Sequence, residues 1–170
     1  IDCARRSIRI NTDAIDNSGG VDLSDHEVNL KLLFQSLVKN KSLSTATRNE
    51  LLLDVAEEVA TKVLTHNQNQ SLLLSMSELC SVNKIDQFRQ LLRMLEAGGI
   101  IDRARDNLPD EQELEGRGLR KQGMLRPELA LCSAGVKMWL KGTLIDEFPL
   151  QEEELEPFLL SYFPIRLQRE

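Results

Sequence analysis

Aromatic residues make up only 4% of the 170-residue sequence, with one Trp and one Tyr, so little ring area is available to build a core. Leucine fills the gap with 30 residues, and a leucine-built core favours helices over strands. An all-β sandwich is thereby excluded. Long apolar runs are missing too: Leu51 to Leu53 and Leu72 to Leu74 fall far short of the ~20 residues that a membrane-spanning helix needs. The chain is expected to be soluble. Positive charge is in deficit, with 21 Lys and Arg against 27 Asp and Glu and a net charge of −6, which leaves no electrostatic footprint for nucleic acid or an anionic membrane. Cysteine is scarce: Cys3, Cys80 and Cys132 form no CxxC pair and no cluster with His26 or His66. No metal site is expected from that spacing, an odd count gives no disulfide framework, and a reducing cytoplasm fits. Ile1 to Ile10, with Asp2, Arg5, Arg6 and Arg9, hold no apolar stretch of signal-peptide length and read as the middle of a longer chain.

Among the residues present, Ile8 and Ile10 alternate with Arg9 and Asn11 in a strand-like way, and Asp16-Asn17-Ser18-Gly19-Gly20 follows as a turn. A lone strand cannot satisfy its backbone groups, so this one is expected to leave a sheet that the sequence does not contain. From Ser24 the signals are helical. Ser24-Asp25-His26-Glu27 matches a capping box, and Leu30, Leu33, Phe34 and Leu37 continue as an apolar stripe to about Lys39. A second box, Thr47-Arg48-Asn49-Glu50, opens a helix carrying Val55, Val59 and Val63 that is expected to end near His66 and Asn67. Further helices are expected from Gln70 to Cys80, with Leu72, Met76, Leu79 and Cys80 inward, and from Ile85 to a stop at Gly98-Gly99. A short exposed helix from Pro109 to about Leu114 follows, then one starting near Pro127 and running to Lys141 or Leu144. Pro157 should split the tail, Gln151 to Tyr162, into two helical turns.

The chemistry concentrates in Asn17-Ser18-Gly19-Gly20-Val21-Asp22-Leu23-Ser24, which puts two glycines between an expected strand end and a helix N-terminus. Backbone N–H groups and the positive end of a helix attract an anion such as a carboxylate there, and the Ser24 hydroxyl can donate to it. The simpler reading is that the glycines only turn the chain and Ser24 only caps a helix. His26 and His66 read as surface or helix-end histidines, Cys80 and Cys132 as buried small hydrophobes, and Glu152-Glu153-Glu154 as a solvated face.

Ile10-Asn11-Thr12-Asp13-Ala14-Ile15-Asp16-Asn17-Ser18, Gly20-Val21-Asp22 and Ser24-Asp25-His26-Glu27-Val28-Asn29 together resemble a signature of the large bacterial NAD-specific glutamate dehydrogenases. Similar stretches recur at Arg48-Asn49 with Glu50-Leu51-Leu52, at Asn67 and Gln70, at Leu108-Pro109-Asp110, at Leu125-Arg126-Pro127-Glu128-Leu129-Ala130 and at Tyr162-Phe163-Pro164. The resemblance implies a C-terminal segment of such an enzyme: an all-α, bundle-like region preceded by a remnant strand and turn from the end of a Rossmann-type dinucleotide-binding domain. It implies residues 1–23 as the end of that catalytic domain, 24–41 as a bridging helix and 42–170 as an incomplete helical C-terminal domain. It also implies that Ser24 binds the side-chain carboxylate of glutamate, that Val21 lines the pocket, and that Asn17, Gly19 and Gly20 face NAD. Most of the cofactor and the catalytic lysines would lie upstream, so this chain alone is expected to be inactive and to hold no catalytic residue. The partners implied are glutamate, 2-oxoglutarate and the rest of an oligomeric parent chain. The competing expectation is a non-catalytic helical module for assembly or regulation, its leucine faces binding neighbouring domains.

Overall fold

Apolar residues at helical spacing, with polar caps between them, give eight α-helices and a closing 3-10 turn among residues 1–148 and 151–169, which the computed structural model describes. The helices are α1 (Asp2–Arg5), α2 (Asp13–Asp16), α3 (Ser18–Lys39), α4 (Thr45–Asn83), α5 (Ile85–Ala97), α6 (Glu111–Leu119), α7 (Arg126–Glu147) and α8 (Glu152–Tyr162); the 3-10 turn spans Ile165–Arg169. They fall into two compact units, Ile1–Asp16 with Asn69–Pro149, and Asn17–Gln68 with Leu150–Glu170.

The first unit is built on α5, α6 and α7. Ile85, Leu92 and Leu95 of α5 meet Leu114 of α6 and Leu129, Ala130 and Cys132 of α7 in one core, joined by Leu74, Ile101, Leu108 and Met124. Gly135 lets α7 approach α5, since a Cβ there would sit 3.0 Å from a Leu95 methyl. The core also encloses a charge pair: Arg117 on α6 grips Glu128 on α7 through two hydrogen bonds of 2.7 and 2.9 Å, and Glu128 further accepts from the Leu125 amide. The second unit packs Leu30 and Phe34 of α3 against Leu51, Val55, Val59 and Val63 of α4. At its other end Lys62 donates to the carbonyls of Ser161, Tyr162 and Phe163 at the end of α8, where helix carbonyls lack intrahelical partners, and Phe163 O also accepts from Gln168.

The stripes on α5 and α7 form helices where the sequence reading places them, and Gly99, at φ +67°, ends α5. Other expectations are corrected. No strand occurs among the described residues: the Ile8 amide closes α1 by bonding Cys3 O, and Ile8 and Ile10 are exposed. The first long helix starts at Ser18 rather than Ser24, so Gly19 and Gly20 are helical and the Ser24 capping box does not form. In α4 the cap is Ser44, whose hydroxyl accepts from the Thr47 amide, three residues before the expected box. Nor does α4 stop at His66. It runs unbroken for 39 residues through a polar stretch that contains neither Gly nor Pro. Its buried residues beyond that stretch are Leu74 and Ser81, whereas Leu72, Met76, Leu79 and Cys80 are exposed. The helix expected at Pro109 starts after the Asp110 cap and buries Leu114 and Arg117 instead of lying exposed. Pro157 is accommodated inside a single helix α8, exposed on its surface.

Candidate functional site

All five residues read as substrate or cofactor contacts lie on the first two turns of α3. Asn17 is its N-cap residue by backbone geometry, with φ −89° and ψ 3°, and its side-chain oxygen lies beside Gly20. Gly19 is half-buried and faces Val63 and Asn67 of α4, to which a Cβ would make ordinary contact at 3.8 and 3.9 Å. Val21 and Ser24, one helical turn apart, are both exposed. The helix brings the five together, yet the positive end of its dipole sits at Ser18, six residues before Ser24. Ser24 is therefore a mid-helix serine presenting its hydroxyl outward.

The polar stretch of α4 that resembles a chain break is a polar seam against α3. Asn67 donates to the Ser18 hydroxyl at 2.7 Å, and His66 Nδ1 lies 2.8 Å from Asp22 Oδ2. One turn further along α3, His26 Nε2 lies 3.8 Å from the other Asp22 oxygen. His26 is only 1% exposed, and neither of its ring nitrogens has a hydrogen-bond partner. Its ring stacks on Tyr162, with centroids 4.5 Å apart and 15° between planes, and Asn29 holds the Tyr162 hydroxyl at 2.9 Å. Burial pushes the His26 pKa below its ordinary value, against the opposing pull of Asp22, so the ring is neutral at pH 7. Sequence spacing did not reveal this group, because only Asp22 and His26 stand at i, i+4 and His66 follows 40 residues later.

An open cleft of the first unit, about 820 Å³, is lined by Arg93, Arg103, Glu96 and Glu111, which pair with one another rather than converge on a ligand. Cys132 is no nucleophile: burial pushes its thiol up to about 12, with the Glu128 carboxylate adding to the shift.

Residues 1–77 match the family model described as bacterial NAD-glutamate dehydrogenase, catalytic domain. The chain is 40% identical over 167 residues to the NAD-specific glutamate dehydrogenase of Halomonas elongata, which covers 98% of the chain. The chain belongs to the bacterial NAD-glutamate dehydrogenase family. The enzymes of the same name from Mycobacterium tuberculosis and Pseudomonas aeruginosa are 38% identical over 161 residues and 36% over 157, or 94% and 92% of the chain. In all three cases the chain spans about 10% of the relative's own length. Measured against the dinucleotide of that family, the α3 terminus alone makes no phosphate cradle. Gly19 and Gly20 are helical, and a Cβ on Gly20 would meet the Asn17 side chain at 2.9 Å, so no open glycine turn faces a ligand.

Proposed function

We propose that this segment works within an NAD-dependent glutamate dehydrogenase that converts glutamate, NAD and water to 2-oxoglutarate, ammonia and NADH in a reducing cytoplasm. In this reading Ser24 donates to the side-chain carboxylate of glutamate and Val21 packs on its methylenes. Asn17, with Gly19 and Gly20, flanks the NAD whose phosphates are held elsewhere in the enzyme. Residues 1–23 end the catalytic domain, 24–41 bridge, and 42–170 form the helical region. The observation that carries the proposal is the match of residues 1–77 to the catalytic-domain family, since that span includes all five residues. Exposed Val21, Val28 and Leu32 on α3 support it, because an uncovered apolar face suits burial against the rest of an enzyme.

The test is steady-state kinetics of the intact enzyme carrying Ser24→Ala, with glutamate and with norvaline, which lacks the side-chain carboxylate. Loss of a hydrogen bond to a charged group costs about 1.5–3 kcal/mol, so kcat/KM for glutamate should fall roughly 10- to 150-fold while norvaline is little changed. An equal fall for both, or none, removes Ser24 from the pocket. The 170-residue chain by itself should show no glutamate-dependent NAD reduction.

A second reading, a helical module for subunit assembly, is favoured by one feature. The second half of α7 exposes Met138, Trp139, Leu140, Leu144 and Ile145. Size-exclusion chromatography of the chain over a concentration series decides it, since a monomer throughout would remove assembly from this portion.

A further inference from the structure

We propose that Asp22, His26 and His66 form a binding site for a divalent transition-metal ion of the zinc class. One carboxylate and two imidazoles, one donor atom from each, lie within 4.8 Å of one another in this arrangement. A four-coordinate zinc ion with bonds of ~2.0–2.1 Å sets its ligand atoms about 3.3 Å apart. His66 Nδ1 lies 2.8 Å from one Asp22 oxygen and His26 Nε2 lies 3.8 Å from the other, so the two imidazoles approach the carboxylate at distances close to that edge. Rotation of the Asp22 carboxylate and of the exposed His66 ring would bring one oxygen and two nitrogens onto a single ion.

The independent sign of a missing ligand is His26. A buried imidazole with both nitrogens unpaired loses its hydrogen bonds to water and gains none inside, a cost that a metal bond would remove at one of the two nitrogens. Its ring is fixed for that purpose, stacked on Tyr162, which Asn29 anchors in turn. The nearby Lys62 ammonium, which opposes a second cation, is committed to three carbonyls at the end of α8. His66 is 53% exposed on its side-chain surface, so the fourth position opens to solvent, as in sites where water or a substrate oxygen completes the shell.

The mixed nitrogen and oxygen donor set selects zinc, cobalt or a related ion over magnesium or calcium, which prefer oxygen alone. The site is separate from the glutamate and NAD contacts proposed above, and its test reads metal rather than activity. Zn2+ and Co2+ are titrated into the purified chain after chelator treatment, in a Cys3→Ser, Cys80→Ser background that removes the two exposed thiols. One equivalent should bind, the thermal midpoint should rise with added metal, and Co2+ should show the intense visible bands of a four-coordinate ion. Asp22→Asn and His66→Ala, both at positions where folding can be verified by circular dichroism, should each weaken binding at least tenfold. Asp25→Asn, a neighbouring charge outside the donor set, should change affinity less than threefold. Absence of saturable binding, or affinity that survives either Asp22→Asn or His66→Ala, overturns the three-ligand site.

Discussion

Replacing Glu128 with Leu should be among the most damaging single changes in the first unit. Glu128 is fully buried and the Arg117 side chain is 7% exposed, and the pair is joined by two hydrogen bonds in fork geometry. Removing one partner of a buried pair leaves an uncompensated charge, at about 3–5 kcal/mol. The lower end applies here, because Arg117 keeps Glu113, 2.6 Å away and 37% exposed. The Leu125 amide also loses its acceptor, but it lies at a half-buried helix start where water can replace the carboxylate. We therefore expect a loss of about 3 kcal/mol. Arg117→Met combined with Glu128→Leu removes both charges and keeps the volume, so it should recover at least ~2 kcal/mol of that loss. Urea unfolding, followed by helical circular dichroism and by the emission of Trp139 on α7, measures both variants against the unaltered chain. A loss below about 1 kcal/mol for Glu128→Leu, or a double variant no better than the single one, would mean that the pair is already solvated and that the core reading is wrong.

Gly123→Ala should lower the thermal midpoint by about 5 °C, the effect of roughly 2 kcal/mol of overpacking. Its Cβ would lie 2.3 Å from the Ser81 hydroxyl, which is held by Glu78 O and the Met124 amide, and an unchanged midpoint would show that Ser81 can move. Lys41→Gly and Lys121→Gly should each stabilise by ~1 kcal/mol, since both residues hold φ near +60° (59° and 54°) after helix ends; destabilisation would refute the strain. Glu111 accepts from Arg93, Arg89 and Arg103, and these bonds, Arg93 first, hold its carboxyl at about 2 against an ordinary 4.5. A lowered folded-state pKa adds stability above the unfolded value that fades as pH falls through the folded one, so the cost of Glu111→Gln should shrink between pH 4.5 and 2. With the side chain 40% exposed that cost is about 1 kcal/mol at pH 7, and a cost independent of pH would refute the assignment. Thiol titration should label Cys3 and Cys80 in the folded chain and Cys132 only after denaturation; prompt labelling of all the cysteines would contradict its burial.

Helices whose signals are local were legible, and those settled by distant contacts were not. On α5, the stripe Ile85, Leu92, Leu95 and the Gly98-Gly99 stop lie within one segment, so periodicity and punctuation agree. Helix ends elsewhere are harder to read, because Ser7, Lys41 and Lys121 take the left-handed conformation usually signalled by glycine. The reverse error occurs at the start of α3. Two successive glycines cost about 2 kcal/mol in helix propensity and read as a turn. In the folded chain they continue a helix, because Ser18 is tied to Asn67, Asp22 to His66, and Gly19 lies flat against Val63.

The same seam explains why α4 reads as broken in the sequence. A run from Thr65 to Ser71 without one apolar residue has the composition of a loop. Within it, the Thr65 hydroxyl bonds back to Thr61 O, and His66 and Asn67 find their partners on α3. The motifs behind the family resemblance therefore divide by role. Arg126 binds Asn11 and Ser75, Asp110 caps α6, and Glu128 pairs with Arg117, so these residues hold the helices in place. The signature on α3 instead presents Val21 and Ser24 outward and Asp22 and His26 inward. A purely structural helix has no need to bury an unpaired imidazole under a tyrosine ring, so the two faces of α3 are where the proposed functions are to be tested: carboxylate binding on the outer face and cation binding in the inner seam.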